Sequence, residues 1–227
     1  MDLQQQKKWA AKEAVSFIED GMVVGFGFGS TFEYALHFIK ERQDAGLKIT
    51  GVPATIKTAQ MAHDLGIPII ENPAHITHLD LTIDGADEAT PELNLIKGGG
   101  GALTREKIIA SMSDQVIIIA DSTKLKSHLG AFPLPVEVIP FGWKNAERLI
   151  RELNPAEINI RMVGESPFVT DNGNYILDCC FERIENPRIL HDKLNAIPAV
   201  VDNGLFCGLC DLLLVSHADG TVQEIYG

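Results

Sequence analysis

Over the first 125 residues, short apolar runs rich in β-branched side chains alternate with amphipathic stretches, and this rhythm restricts the fold more than any other feature of the chain. Residues 22–25, 47–52, 67–70, 79–83 and 116–120 read as strands. Between the first two, Phe32, Ala35, Leu36 and Ile39 recur at the spacing of one helix face. Helices also fit residues 9–18, 55–65 and 104–112. Strand and helix in alternation imply a parallel sheet covered by helices on both faces.

The rhythm changes after Asp121. Prolines punctuate FPLPVEVIP, a helix-like AERLIREL follows, and residues 158–163 form a strand. A hairpin is expected at Asn172 and Gly173, then a helix over 187–195 and a strand over 199–201. Strand, helix, two strands, helix, strand is the order of a ferredoxin-like unit. The expected fold is therefore α/β: a Rossmann-like parallel-sheet domain with a smaller α+β, ferredoxin-like domain inserted near the C-terminus. The expected domains are residues 1–129 plus 205–227, and residues 130–204, with the strands at 205–210 and 212–216 rejoining the first sheet.

Composition narrows the class of partner. With 45% hydrophobic residues the chain can bury a sizeable core. Nineteen Lys and Arg against 31 Asp and Glu give a net charge of −12, a field that repels nucleic acid and acidic membranes. An anionic substrate must then meet a local basic pocket. The longest strongly apolar run, 116–120, predicts neither a signal peptide nor a membrane span. Four cysteines in 227 residues fit a reduced, cytoplasmic protein. Cys207 and Cys210 have redox spacing but lie on an expected strand, and do not open a helix as a low-pKa thiol would. His75 and His78 point to opposite faces of a strand, so joint metal ligation is not expected.

Three clusters carry chemical information. GFGFGST, residues 25–31, lies between the first strand and its helix, where backbone N–H groups and the helix dipole favour an anion. It is neither GxGxxG, because the sixth position is Ser30, nor a Walker loop, because GST stands where GK[ST] is required. The competing reading is a tight turn whose glycines only permit close packing. DLTIDGADEAT places Asp84 at the end of a strand and Asp87 in the following turn, where two carboxylates can divide proton donation and acceptance. An Asp-rich turn is the plainer alternative. In LIKGGGGALTREKI, four consecutive glycines before a helix can form an anion nest, with Lys97 adding positive charge and Glu106 in the first helical turn. A glutamate there also serves as an ordinary dipole-stabilising residue.

IDGADE and IKGGGGALTREKI together closely resemble the ribose-5-phosphate isomerase A family, and the glycine loop ending in GST resembles its first motif. DSTK at 121–124, FPLPVEVIP at 132–140 and TDNGNYILD at 170–178 extend the likeness over nearly the whole chain. The resemblance implies interconversion of ribose 5-phosphate and ribulose 5-phosphate, without metal or organic cofactor, in the non-oxidative pentose phosphate pathway. It implies Glu106 as the carbon base, Asp84 and Asp87 in ring opening and proton traffic, and Lys97 at the developing enediolate. Substrate binding would involve Phe28, Gly29, Ser30, Thr31, Asp84, Gly85, Ala86, Asp87, Lys97, Gly98, Gly99, Gly100 and Lys124, with Ser30, Thr31 and Lys124 on the phosphate. The partner implied is a small sugar phosphate, and the assembly a homodimer or homotetramer. The chain departs from the family where a small hydroxyl residue commonly stands between the loop's last two glycines; here it is Phe28. An amino-sugar phosphate deaminase or phosphosugar lactonase would share the first loop, but the intact KGGGGALTREK argues against both. A noncatalytic sugar-phosphate sensor would carry an output domain, and none is evident.

Overall fold

The computed structural model describes residues 2–70 and 72–227. Along the chain, α1 (Leu3–Ser16), β1 (Val23–Phe26), α2 (Ser30–Asp44), β2 (Thr50–Pro53) and α3 (Ile56–Asp64) come first. Next are β3 (Leu79–Gly85), the short β4 (Glu88–Ala89) and β5 (Asn94–Ile96), α4 (Leu103–Ser111) and β6 (Ser113–Asp121). After these run β7 (Leu134–Val138), α5 (Trp143–Arg151), β8 (Glu157–Ile160), β9 (Met162–Val163), β10 (Ser166–Pro167) and β11 (Tyr175–Cys180). The chain closes with α6 (Pro187–Asn195), β12 (Val200–Asn203), β13 (Leu205–Cys207), β14 (Leu212–Ser216) and β15 (Val222–Tyr226).

Two compact units form. One comprises the chain up to Ala86, Arg105–Leu125 and Gly208–Gly227; the other comprises Asp87–Thr104 and Lys126–Cys207.

The first unit is built on a sheet of order β15-β14-β6-β3-β1-β2, parallel except for the edge strand β15. The inner strands β6 and β14 read as unbroken apolar runs because both faces are covered, whereas β3 interleaves Asp80, Thr82 and Asp84. Leu81, Ile83, Ile117, Ile119, Leu212 and Leu214 pack with Ala10, Ala14, Phe32, Leu36 and Ile39 of α1 and α2. The opposite face meets α4 so closely that a Cβ on Gly25 would overlap Thr82 and Ile109. The predicted helix face of Phe32, Ala35, Leu36 and Ile39 is buried as its spacing requires.

In the second unit, β7, α5, β8, β11, α6 and β12 build an antiparallel sheet of order β12-β7-β11-β8, the ferredoxin-like arrangement. Val136, Val138, Leu177, Ala146, Ile150 and Leu194 lie in its core. A three-stranded sheet of order β13-β5-β4 belongs to the same unit.

Three expected strands behave differently. Among the described residues, 67–70 make only one parallel bridge, Ile69 to Gly51, because Pro68 has no N–H to give a ladder. The strand expected over 158–163 breaks at Arg161 into β8, which pairs with β11, and β9, which pairs with β10. Residues 205–210 do not rejoin the parallel sheet. Leu205–Cys207 pairs antiparallel with Asn94–Ile96, and Gly208, at φ 73°, turns the chain before Leu212–Ser216 enters the parallel sheet. Among the described residues no helix is long and apolar enough to cross a membrane.

Candidate active site

The first unit carries the glycine loop and Asp84. β1 ends at Phe26, and the Gly27 N–H donates to the Ile83 carbonyl at 3.0 Å, so the loop leaves the sheet beside β3. The Phe28 N–H donates to Asp84 Oδ1 at 3.1 Å, and the same oxygen accepts the Gly85 N–H at 2.7 Å. Asp84 is 2% exposed. Gly85 and Ala86 continue from it, half-buried.

Gly29, at φ 127°, occupies the N-cap of α2 and offers no capping side chain. The first-turn amides of a 15-residue helix therefore open at Ser30 and Thr31, an arrangement suited to an oxyanion. Lys7 Nζ donates to Ser30 Oγ at 2.9 Å. One residue earlier, buried Gln6 accepts from the Ser122 N–H and hydroxyl at 3.1 and 2.9 Å. Helix α1 thus ties the GST turn to the DSTK turn, in which the Lys124 N–H donates to the Asp121 carbonyl. Sequence reasoning passed over Lys7, since a lysine in an amphipathic helix carries no spacing signal toward a loop 23 residues away. The Phe28 ring is half-buried and lies under Lys57 Nζ, 5.2 Å from the ring centroid. Glu106 lies in the first turn of α4 and is 4% exposed, too deep for a solvated dipole-stabilising residue.

The second unit carries Asp87, Lys97 and the glycine run. Asp87 Oδ2 accepts the Gly99 N–H at 2.7 Å, while the Asp87 N–H donates to the Ile96 carbonyl. A Cβ on Gly99 would meet Asp87 Oδ1 at 2.6 Å, so any side chain there would push the Asp87 carboxylate aside. Lys97 is 3% exposed, its N–H donating to the Gly204 carbonyl and its ammonium 5.4 Å from the Phe206 ring centroid. The Gly101 N–H closes a turn onto the Gly98 carbonyl at 2.9 Å. Gly98 is buried and Gly100 exposed. Asp84 is thereby joined to the Phe28 backbone, and Asp87 to that of Gly99.

Residues 50–220 match the ribose 5-phosphate isomerase A (phosphoriboisomerase A) family. The chain belongs to that family. It is 51% identical over 222 residues to ribose-5-phosphate isomerase A of Ruegeria sp. strain TM1040, covering 94% of this chain and 84% of the relative. Its backbone is similar to that of a D-ribose-5-phosphate isomerase solved in complex with phospho-erythronic acid, at 39% identity and a TM-score of 0.95, with both chains covered in full. The ribose 5-phosphate isomerase of Plasmodium falciparum is 36% identical, with a TM-score of 0.93 and 99% of each chain covered. Against this ribose 5-phosphate isomerase A background, Phe28 contributes its N–H to Asp84 whatever its side chain, so the departure at this position leaves the backbone link intact.

Proposed function

We propose that this chain interconverts D-ribose 5-phosphate and D-ribulose 5-phosphate through an enediolate. Supporting this most directly is a buried carboxylate, Glu106, in the first turn of the helix that follows the Lys97 and glycine run, within a chain of this family. Glu106 takes the proton from C2 of the open-chain aldose and returns it to C1. Meanwhile the C1 carbonyl oxygen gains a proton and the C2 hydroxyl loses one, so atoms and electrons balance. Asp84 and Asp87 act in ring opening and in proton movement at the hydroxyls. The negative charge that develops on oxygen is met by Lys97 and by glycine-loop amides, donors fixed before the reaction begins. Ser30, Thr31 and Lys124 hold the phosphate, and Lys7 adds charge beside Ser30. The reaction is redox-neutral, and these groups supply its charge stabilisation without a metal or organic cofactor.

The enzyme so read works in the cytoplasm, where its four free cysteines stay reduced, as a homodimer or homotetramer. Purified protein is expected to form ribulose 5-phosphate from ribose 5-phosphate equally well with and without a chelator. Absence of turnover would overturn the isomerase reading, and chelator-sensitive turnover would overturn the cofactor-free mechanism. Sedimentation velocity reads the assembly; a monomer at assay concentration would refute the oligomer.

A further inference from the structure

The glycine run is held from behind by a side chain that none of the sequence motifs contains. Arg161 follows β8 and opens the small β9–β10 hairpin, its own carbonyl accepting the Phe168 N–H at 2.8 Å. Its guanidinium is oriented by a two-point pair with Asp178 of β11, Nε to Oδ2 at 2.9 Å and Nη2 to Oδ1 at 2.5 Å. The remaining nitrogen, Nη1, donates to the carbonyls of both Gly98 and Gly99 at 3.0 Å. The side chain is 16% exposed, so this fork is largely withdrawn from water. The Phe168 ring, 5.9 Å from the Arg161 guanidinium carbon, lies so close to Gly101 that a Cβ there would meet it at 2.5 Å.

Peptide geometry turns these contacts into a statement about the loop's other side. In a trans peptide the carbonyl and the following N–H point in opposite directions. The Gly98–Gly99 peptide is thus gripped at both ends, its oxygen by Arg161 and its N–H by Asp87. The Gly99–Gly100 peptide is gripped by its oxygen, which directs the Gly100 N–H away from the guanidinium at an exposed residue. Glycine has the widest choice of backbone conformations, so a run of four would otherwise sample many amide directions. The Asp178 pair neutralises Arg161, which therefore supplies geometry here more than charge. A lysine, with one nitrogen, cannot hold Asp178 at two points and both carbonyls together.

We propose that Arg161 is a positioning residue for the isomerase reaction: braced by Asp178, it fixes the Gly98 and Gly99 carbonyls so that the Gly100 N–H is preset to donate to the enediolate oxygen. This rests on the isomerase reading above. The test compares wild type, Arg161→Gln, Arg161→Lys and Arg161→Ala in kcat, KM, thermal midpoint and inhibition by phospho-erythronic acid, whose carboxylate has the planar two-oxygen form of an enediolate. Inhibition by inorganic phosphate serves as the control for the phosphate loop.

In Arg161→Gln, kcat should fall at least about tenfold with KM changed by less than about threefold, as loss of preset transition-state donors requires. Phospho-erythronic acid should weaken by a similar factor, while inhibition by phosphate stays unchanged. Added guanidinium ion should restore part of the turnover of Arg161→Ala. If Arg161→Gln does not fold, Arg161→Lys, which can still reach Asp178, reads the same constants. A lowered thermal midpoint with kcat and phospho-erythronic acid affinity at wild-type level would assign Arg161 a purely structural role and overturn the proposal. A wild-type protein without turnover sinks the isomerase reading itself, whereas an active wild type with equally active variants sinks only the role of Arg161.

Discussion

The Asp84 carboxylate accepts the backbone N–H of Phe28 at 3.1 Å, which makes the glycine loop after β1 and the acid at the end of β3 one hydrogen-bonded unit. Gly27 is the residue that permits this approach, because a Cβ there would overlap the Asp84 side chain at Oδ1, Cγ and Cβ. Gly27→Ala is therefore expected to rotate or displace Asp84 while leaving the sheet intact. Its kcat/KM should fall more than about tenfold, the scale of a misplaced catalytic group, with a native circular dichroism spectrum. An alanine variant within threefold of wild type would remove Asp84 from the set of residues whose position matters.

Phe28 stands where the resemblance leads one to expect a small hydroxyl residue, yet what it gives to Asp84 is its backbone. Phe28→Thr should change KM by no more than a few-fold, about 1 kcal/mol, the net value of one ordinary hydrogen bond. Ser30→Ala should cost at least as much, because it removes the hydroxyl that Lys7 contacts. A tenfold or larger gain in kcat/KM for Phe28→Thr would show that a hydroxyl is required there, and would point to a natural substrate other than ribose 5-phosphate.

Lys124, proposed above to hold the phosphate, offers a test that separates binding from chemistry. The phosphate is remote from C1 and C2, so Lys124→Ala should raise KM, with a smaller loss of kcat because remote binding energy also orients the substrate. Steady-state kinetics decide it. A collapse of kcat at unchanged KM would move Lys124 from the phosphate to the reacting carbons.

Glu106→Gln keeps the shape of the side chain but cannot accept a proton. Turnover should fall at least about 10²-fold, the usual contribution of a general base, while substrate still binds. Exchange of the C2 hydrogen with heavy water should fall in parallel. Near-wild-type exchange in this variant would place the base elsewhere.

What could be read from the sequence follows from how local each signal is. β6 and β14 were legible as continuous apolar runs, as parallel strands buried on both faces are written, and β1, β2 and β3 as shorter stretches rich in β-branched residues. β4 and β5 were not, since strands of two or three residues are too short to show a period; β13 was legible as a strand, but its antiparallel partner β5 is found only in the folded chain. The same division runs through the site. Asp87 and Gly99 are twelve residues apart in neighbouring motifs, and both stood out. Arg161 grips carbonyls 62 and 63 residues away as a lone cation without a motif, so only the fold reveals it.

Glu137 of β7 supports the start of the Glu106 helix from inside the second unit. It is fully buried and accepts from Thr104 Oγ1 at 2.5 Å, Thr170 Oγ1 at 2.8 Å, Asn172 Nδ2 at 3.2 Å and Asn174 Nδ2 at 2.9 Å. Three of these donors come from the turn at residues 170–174, where the hairpin was expected, and the fourth stands two positions before Glu106. A carboxylate accepts at all four sites, whereas the amide of glutamine would set its own N–H groups against donors. Glu137→Ala leaves several buried donors without an acceptor, and should lower stability by about 3 kcal/mol. Urea unfolding should show that loss as a lower midpoint. Glu137→Gln should lose less stability, since it fills the same volume and keeps one acceptor oxygen. If Thr104 is the link to catalysis, Thr104→Val, which keeps the shape and removes the hydroxyl, should reproduce any fall in kcat seen in Glu137→Gln. Equal stability of wild type and Glu137→Ala would show that the four contacts contribute nothing net and that α4 is held by its apolar packing alone.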